Sequence, residues 1–462
     1  MRNGAVSFWF DQVGRASPRA ALPGDIEADV CVVGAGLTGL WTAYYLAEAD
    51  PALRIVVCER RFAGYGASGR NGGWLTGALA GTRRRFAATH GRVGVLALQA
   101  AMHHAVNEVV SVCAARGIEA DVVRGGELAV ATSAAQLHRI RTAVAADHSW
   151  GAPDTELLSQ TALAERVRVA GALGGSFTPH CARLHPAKLV TGLAHVVEQA
   201  GVRIYEQTPV TALGPGLVRT PHGTVRAPVV LRATGGFTAE LPGLRRTWLP
   251  MNSSLVVTEP LGTDVWEEIG WSACETLGDA AHGYRYVQRT ADGRIALGGR
   301  GKPYRFGSRV DADGATPQST VDSLAVLLHR LFPATDDVPL AHAWSGVLGV
   351  PRDWCSTAGF DPRTGLGWAG GYVGHGVATT NLAGRTLRDL VLGRSTELTA
   401  LPWVHRRVRA WEPEPLRWLG VTALYAAYRA ADRQESRTGA GSRTAALARL
   451  ASAIGNNRLD RA

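Results

Sequence analysis

A chain of 462 residues with 46% hydrophobic residues, 19% charged residues and 55 glycines has the makeup of two or three intertwined α/β domains and excludes a disordered chain. Its formal net charge of +10 comes almost wholly from arginine, since Lys188 and Lys302 are the only lysines. Those arginines are scattered, with short runs only at Arg83–Arg85 and Arg406–Arg409, so they read as solvated surface and nucleic acid is not an expected partner.

Cys31, Cys58, Cys113, Cys181, Cys274 and Cys355 form no CxxC pair. Buried thiols in a reducing compartment are expected, and neither a metal site nor a disulfide framework is. Residues 1–24 hold no continuous apolar core of the secretory kind, and no apolar run reaches spanning length. The cytoplasm is the expected location.

The first element is a strand at Asp29–Val33, short, apolar and β-branched. A glycine-rich turn leads into a helix over Leu37–Glu48, and Pro51 marks the break before a strand at Arg54–Glu59. The segment Arg83–Arg168 reads as helix-rich. Then follow a helix at Ala187–Ala200, strands at Val202–Glu206 and Pro228–Ala233, and a hairpin near Val218–Val225. Ser253–Thr258 reads as a strand, Tyr284–Arg289 and Arg294–Gly298 flank an Asp292-Gly293 hairpin turn, and Val321–Leu331 reads as a helix. Beyond Gly393 lies an arginine- and tryptophan-rich tail with a helix at Leu416–Ala431 and a polar end from Arg433 that is expected to be disordered.

Gly34-Ala35-Gly36-Leu37-Thr38-Gly39 is G-x-G-x-x-G, preceded by a strand and followed by a helix, with Glu59 ending the next strand. In that setting the glycines give a tight turn, a close approach to a pyrophosphate and close helix-strand packing, and an acid at Glu59 accepts from ribose hydroxyls. The motif alone does not separate FAD from NAD.

The following loop, Gly64-Tyr65-Gly66-Ala67-Ser68-Gly69-Arg70-Asn71-Gly72-Gly73, resembles that of the flavin amine oxidase family, which includes D-amino acid oxidase, glycine oxidase, sarcosine oxidase and γ-glutamylputrescine oxidase. The resemblance runs from about Asp25 to about Gly393 and implies FAD. It puts Ser68 and Arg70 on the phosphates, Asn71 near the isoalloxazine ring, Gly72 and Arg60 among the cofactor-binding residues, the backbone of Val210 at adenine, and Ala233, Thr234 and Gly235 on the strand crossing the pyrophosphate. Gly374, His375, Gly376 and Val377 start a helix whose N–H groups would face the N1–C2=O edge of reduced flavin. Some relatives attach the flavin covalently; the nearest matching positions here are Arg70 and Gly346, so non-covalent FAD is expected.

The implied fold is α/β, a discontinuous Rossmann-like FAD-binding domain with a substrate domain of antiparallel sheet plus helices. The expected boundaries are 25–85, 180–250 and 340–395 for the first, 86–179 and 251–339 for the second, and 396–462 for a C-terminal helical, basic tail. Gly278-Asp279-Ala280-Ala281-His282 spells the second FAD motif of aromatic hydroxylases, but Gly283 to Gln288 alternates like a strand, so a chance match is expected.

The implied chemistry is oxidation of an amine to an imine, with O2 or another acceptor taking the electrons. Tyr284 and Tyr286, on one strand face, and Trp344, read as ending a strand, are candidate pocket residues. Family members acting on α-amino acids anchor the carboxylate with an arginine after a W-x-G segment, whereas Leu348 stands there after Trp344-Ser345-Gly346. A primary or secondary amine is therefore favoured, unless Arg285, Arg289 or Arg300 replaces that arginine. A D-amino acid or glycine oxidase or dehydrogenase, a flavin monooxygenase and a non-catalytic flavoprotein remain as alternatives.

Overall fold

The computed structural model describes residues 1–14, 17–310, 312–442 and 444. A six-stranded sheet runs in the order Arg203–Tyr205, Ile55–Cys58, Val30–Val33, Val229–Arg232, Leu366–Gly370, Thr357–Asp361. All neighbours are parallel except the last pair. Period-2 alternation explains its β-branched strands: Val30, Val32, Ile55 and Val57 join one apolar core, which includes helices Leu37–Ala49, Pro186–Gln199 and Gly376–Val391. Cys31, Val33, Val56 and Cys58 face the opposite way, onto Val218 and Val225 of a four-stranded sheet. Both faces are thus covered.

A nine-stranded sheet stands beside it, in the order Arg2–Asn3, Leu340–Val350, Leu249–Thr258, Ile295–Gly299, Tyr286–Arg289, Thr276–Asp279, Glu127–Ala131, Gly174–Thr178, Glu156–Leu158. It is antiparallel except where Arg2–Asn3 meets Leu340–Val350 and where Thr276–Asp279 meets Glu127–Ala131. Leu324, Leu327 and Leu328 of the helix Gln318–Leu331 bury Val256, Leu277 and Leu297 of this sheet.

The segment Arg83–Arg168 is helix-rich as expected, with helices Arg83–Ala115, Ala134–Ser149 and Gln160–Ala164, and it also contributes the strands Glu127–Ala131 and Glu156–Leu158. Three expectations need correction. Trp344 lies in the middle of the strand Leu340–Val350 and does not end one. The C-terminal helix spans Leu416–Thr438; its end is fixed where the buried Glu435 takes Arg139 at 2.7 Å, a tertiary ion pair invisible to local composition. The polar end expected to be disordered is therefore helical from Arg433 to Thr438, and most of the rest lies outside the described residues. Finally, Gly14 and the residues before it, assigned no element from sequence, add the edge strand Arg2–Asn3 and the helix Phe8–Val13. No helix among the described residues is long and apolar enough to cross a membrane.

Candidate functional site

The strand Val30–Val33 ends in Gly34 at φ +106°, a left-handed conformation that glycine adopts without strain. A Cβ there would also approach Ala233 O to 2.8 Å. Gly39 sits one helical turn on, where any side chain would strike Gly34 O; this is the close strand-helix contact the third glycine allows. The helix Leu37–Ala49 starts on Gly36, which has no side chain to cap it. The cap comes from the next loop, where Ser68 Oγ accepts from Leu37 N at 2.8 Å.

Glu59 closes the turn from the other side. Its Oε2 accepts from Ala35 N at 2.9 Å and its Oε1 from Arg61 N at 3.0 Å. Burial pushes its carboxyl above the ordinary range, against the pull of those two N–H groups. Arg60 is exposed, pairs with Glu240 and lies over the Phe237 ring at 5.5 Å.

Within the loop, Asn71 Nδ2 donates to Ala67 O at 3.2 Å and Ser68 O at 2.8 Å while its Oδ1 accepts from Gly73 N at 2.8 Å. The N-terminal helix braces the loop from behind: Ser7 Oγ donates to Gly69 O at 2.7 Å and Trp9 Nε1 to Asn71 O at 2.9 Å. Phe10 fills the space that a side chain at Gly64 or Gly69 would need. The sequence signal for this brace was the aromatic run Phe8-Trp9-Phe10, which stood unassigned.

Arg70 turns inward and away from the cavity. Its Nε donates to Tyr65 O at 2.7 Å, a terminal nitrogen donates to Ser345 O at 3.3 Å, and its guanidinium lies 4.3 Å from the Tyr65 ring centroid. Burial lowers its pKa, and it stands apart from the phosphate position that the resemblance implied.

These segments enclose a cavity of about 480 Å³. Of the cofactor candidates, Gly34, Gly36, Leu37, Thr38, Glu59, Arg60, Ser68, Asn71, Val210, Ala233, Thr234, Gly235, Gly374, Gly376 and Val377 line it; Ala35, Gly39, Arg70, Gly72, Gly346 and His375 do not. Gly346 faces Arg70, whose Cβ would lie 3.3 Å from an added side chain, while its neighbours Val347, Leu348 and Gly349 reach the cavity. Tyr65, Phe237 and Tyr372 also line it, none of them singled out as a candidate; Phe237 follows Thr234-Gly235-Gly236 directly. Thr38 Oγ1 and Tyr372 OH, 3.1 Å apart, tie the glycine turn to the second helix start.

That second start is the turn before Gly376–Val391. Its His375 is half-buried, and burial first, then the nearby Arg300, pushes its pKa down to about 4. Arg300 donates to Val373 O at 3.4 Å. The other hairpin arginines are engaged elsewhere: Arg285 pairs with Asp279 at 2.9 Å, and Arg289 donates to Trp271 O and lies 4.0 Å over the Trp266 ring.

Tyr284 and Tyr286 stand face to face at 6.4 Å, each edge-on to Trp74, and burial raises the pKa of both. Tyr286 OH lies 3.0 Å from Ser253 Oγ, and its ring would be 2.7 Å from a side chain at Gly72. This aromatic group borders the glycine loop outside the nucleotide cavity. Trp344 is fully buried against Phe8, Trp9 and His342 and donates to Arg70 O at 2.9 Å; it is a core residue. The Gly278–His282 segment includes the end of the strand Thr276–Asp279 and contributes nothing to the cavity.

Comparison with known proteins agrees with this architecture. The family of FAD dependent oxidoreductases typified by DAO matches residues 29–390. The gamma-glutamylputrescine oxidoreductase of Escherichia coli K12 is 30% identical over 404 residues, 85% of this chain and 90% of that protein. A probable oxidoreductase OrdL of Rhizobium meliloti is 30% identical over 82% of this chain and 86% of its own length. Among solved structures, glycine oxidase from Geobacillus kaustophilus superposes with a TM-score of 0.69 at 22% identity, covering 82% of this chain and 99% of that one. The chain belongs to the DAO family of FAD-dependent oxidoreductases.

Proposed function

We propose that this protein oxidises the C–N bond of a primary or secondary amine with non-covalently held FAD, in the cytoplasm, and that O2 reoxidises it. The residues present fit that group. Gly34 and Gly36 leave the cradle free of side chains at the start of a helix, where backbone N–H groups and the positive end of the dipole favour a pyrophosphate. Glu59 would take the ribose hydroxyls, Val210 adenine, and Gly36, Leu37, Thr38 and Ser68 the phosphates, with Ala233, Thr234 and Gly235 alongside. Asn71 and the turn Gly374 to Val377 would hold the ring. When bound, FAD would supply a two-electron hydride acceptor, at N5, for oxidation of a neutral amine to an imine that water hydrolyses, with O2 as the final acceptor giving H2O2.

The observation that carries the amine reading is Leu348, an apolar side chain on the cavity wall at the position where an anchoring arginine would stand. Arg352, the next arginine, is held by Glu412 at 2.9 Å. A buried carboxylate without a cation costs about 3–5 kcal/mol. The 30% identity to a putrescine-derivative oxidoreductase supports the same choice. The second reading, an amino acid substrate, is favoured by Arg300, whose guanidinium reaches Val373 O beside the second turn.

The test compares kcat/KM for an amine and its α-carboxylated analogue, with peroxide measured alongside. The amine should be preferred by about a hundredfold or more. A preference for the amino acid that vanishes in Arg300→Leu would establish the second reading.

A further inference from the structure

A second cavity, of about 350 Å³, lies between the N-terminal helix and the strand Tyr286–Arg289 and shares no lining residue with the nucleotide cavity. Its size falls within the range of small-molecule sites. Two of its wall residues are buried polar groups with unmet needs. Arg183 is 8% exposed, its Nε is buried without a partner, and among the described residues no carboxylate pairs with its guanidinium. Gln288 is 2% exposed; its Nε2 donates to Leu184 O at 3.3 Å, which fixes the amide orientation and leaves Oε1 buried without a donor.

The other charges on this wall are already matched. Lys188 Nζ donates to both oxygens of Asp121, at 2.8 and 2.9 Å. Asp292 accepts from Gln12 Nε2 at 2.6 Å, from Arg294 Nε at 2.7 Å and from Thr290 Oγ1 at 2.6 Å. His185 accepts from Lys188 N at 3.2 Å, its Nε2 lies 3.1 Å from Gln12 Oε1, and burial holds its pKa down to about 4, so it adds no charge. The cavity is left with one unneutralised cation and one acceptor lacking a donor. Water could serve the acceptor, but it does not neutralise the Arg183 charge, whose planar guanidinium fork matches a carboxylate.

We propose that this cavity binds a small amino-carboxylic acid, its carboxylate on the Arg183 guanidinium and its N–H on Gln288 Oε1. The site adjoins the glycine loop: Trp9, on its wall, donates to Asn71 O, Gln288 packs against Gly73, and Arg183 pairs across a strand ladder with Trp74.

Calorimetric titration of the holoprotein tests this with glycine, β-alanine and 4-aminobutyrate, each against the alkylamine it would leave on losing its carboxylate. At least one amino acid should bind saturably, and Arg183→Gln should weaken that binding at least about tenfold, with a smaller loss in Gln288→Leu, while any binding of its alkylamine should be left unchanged by Arg183→Gln. The proposal is overturned if none of the three binds, if Arg183→Gln weakens the alkylamine as much as the amino acid, if chloride or phosphate binds as tightly, or if both variants keep the wild-type affinity. Should Arg183→Gln not fold, Gln288→Leu decides.

Discussion

Ser68 Oγ accepts the hydrogen bond of Leu37 N at 2.8 Å, so one loop of the nucleotide cavity caps the helix that the other loop begins. Replacing an N-cap hydroxyl costs about 1 kcal/mol. Ser68→Ala should therefore lower the urea midpoint of the flavin-free protein and weaken FAD binding several-fold, read by flavin fluorescence. An unchanged midpoint would mean that the cap contributes nothing to the turn.

Gly36 opens on the cavity, and a Cβ added there would lie 2.9 Å from Ser68 Oγ. Gly36→Val should give colourless or insoluble protein, because the branched side chain takes both the pyrophosphate's space and that of the capping hydroxyl. A yellow, fully occupied variant would remove the cofactor from this cavity.

The motif at Gly34–Gly39 was readable because each glycine answers a local steric need, and the short, continuous apolar run before it made its strand plain. Less readable was anything set by distant contacts. Arg70 looked like a phosphate ligand by its place in a glycine loop, but Tyr65 O and Ser345 O, the latter 275 positions away, capture its guanidinium. The brace from Ser7 and Trp9 spans 62 positions in each bond and leaves no periodic trace. Trp344 is apolar and begins the W-x-G segment whether it lines a pocket or fills a core, and only packing against Phe8 and Trp9 decides between them.

The flavin should leave with acid. Among the described residues, the cavity lining includes no histidine; its cysteine, Cys58, sits beside Glu59, and Cys355 lies elsewhere, buried with its sulfur 3.5 Å from Thr82 N. Precipitation in acid should give a colourless pellet and a yellow supernatant. Colour retained in the pellet would show a covalent link.

His185 and His375 are both pushed by burial to about 4 from the ordinary 6.5. Between those values the unfolded chain binds more protons than the native one, so stability contributed by these groups falls as pH drops from about 6.5 towards 4. The urea midpoint of the flavin-free protein should be lower at pH 5 than at pH 7.5, and His185→Asn should narrow the gap. A gap unaltered by that substitution would show that His185 is not held neutral.

The measurement that tests the account most directly is an anaerobic titration of the purified flavoprotein, followed by visible flavin absorbance, with a panel of primary and secondary amines and with NADH and NADPH. Amine oxidation predicts complete bleaching by at least one amine and none by the nicotinamides. Bleaching by NADH or NADPH, with every amine inert, would contradict it.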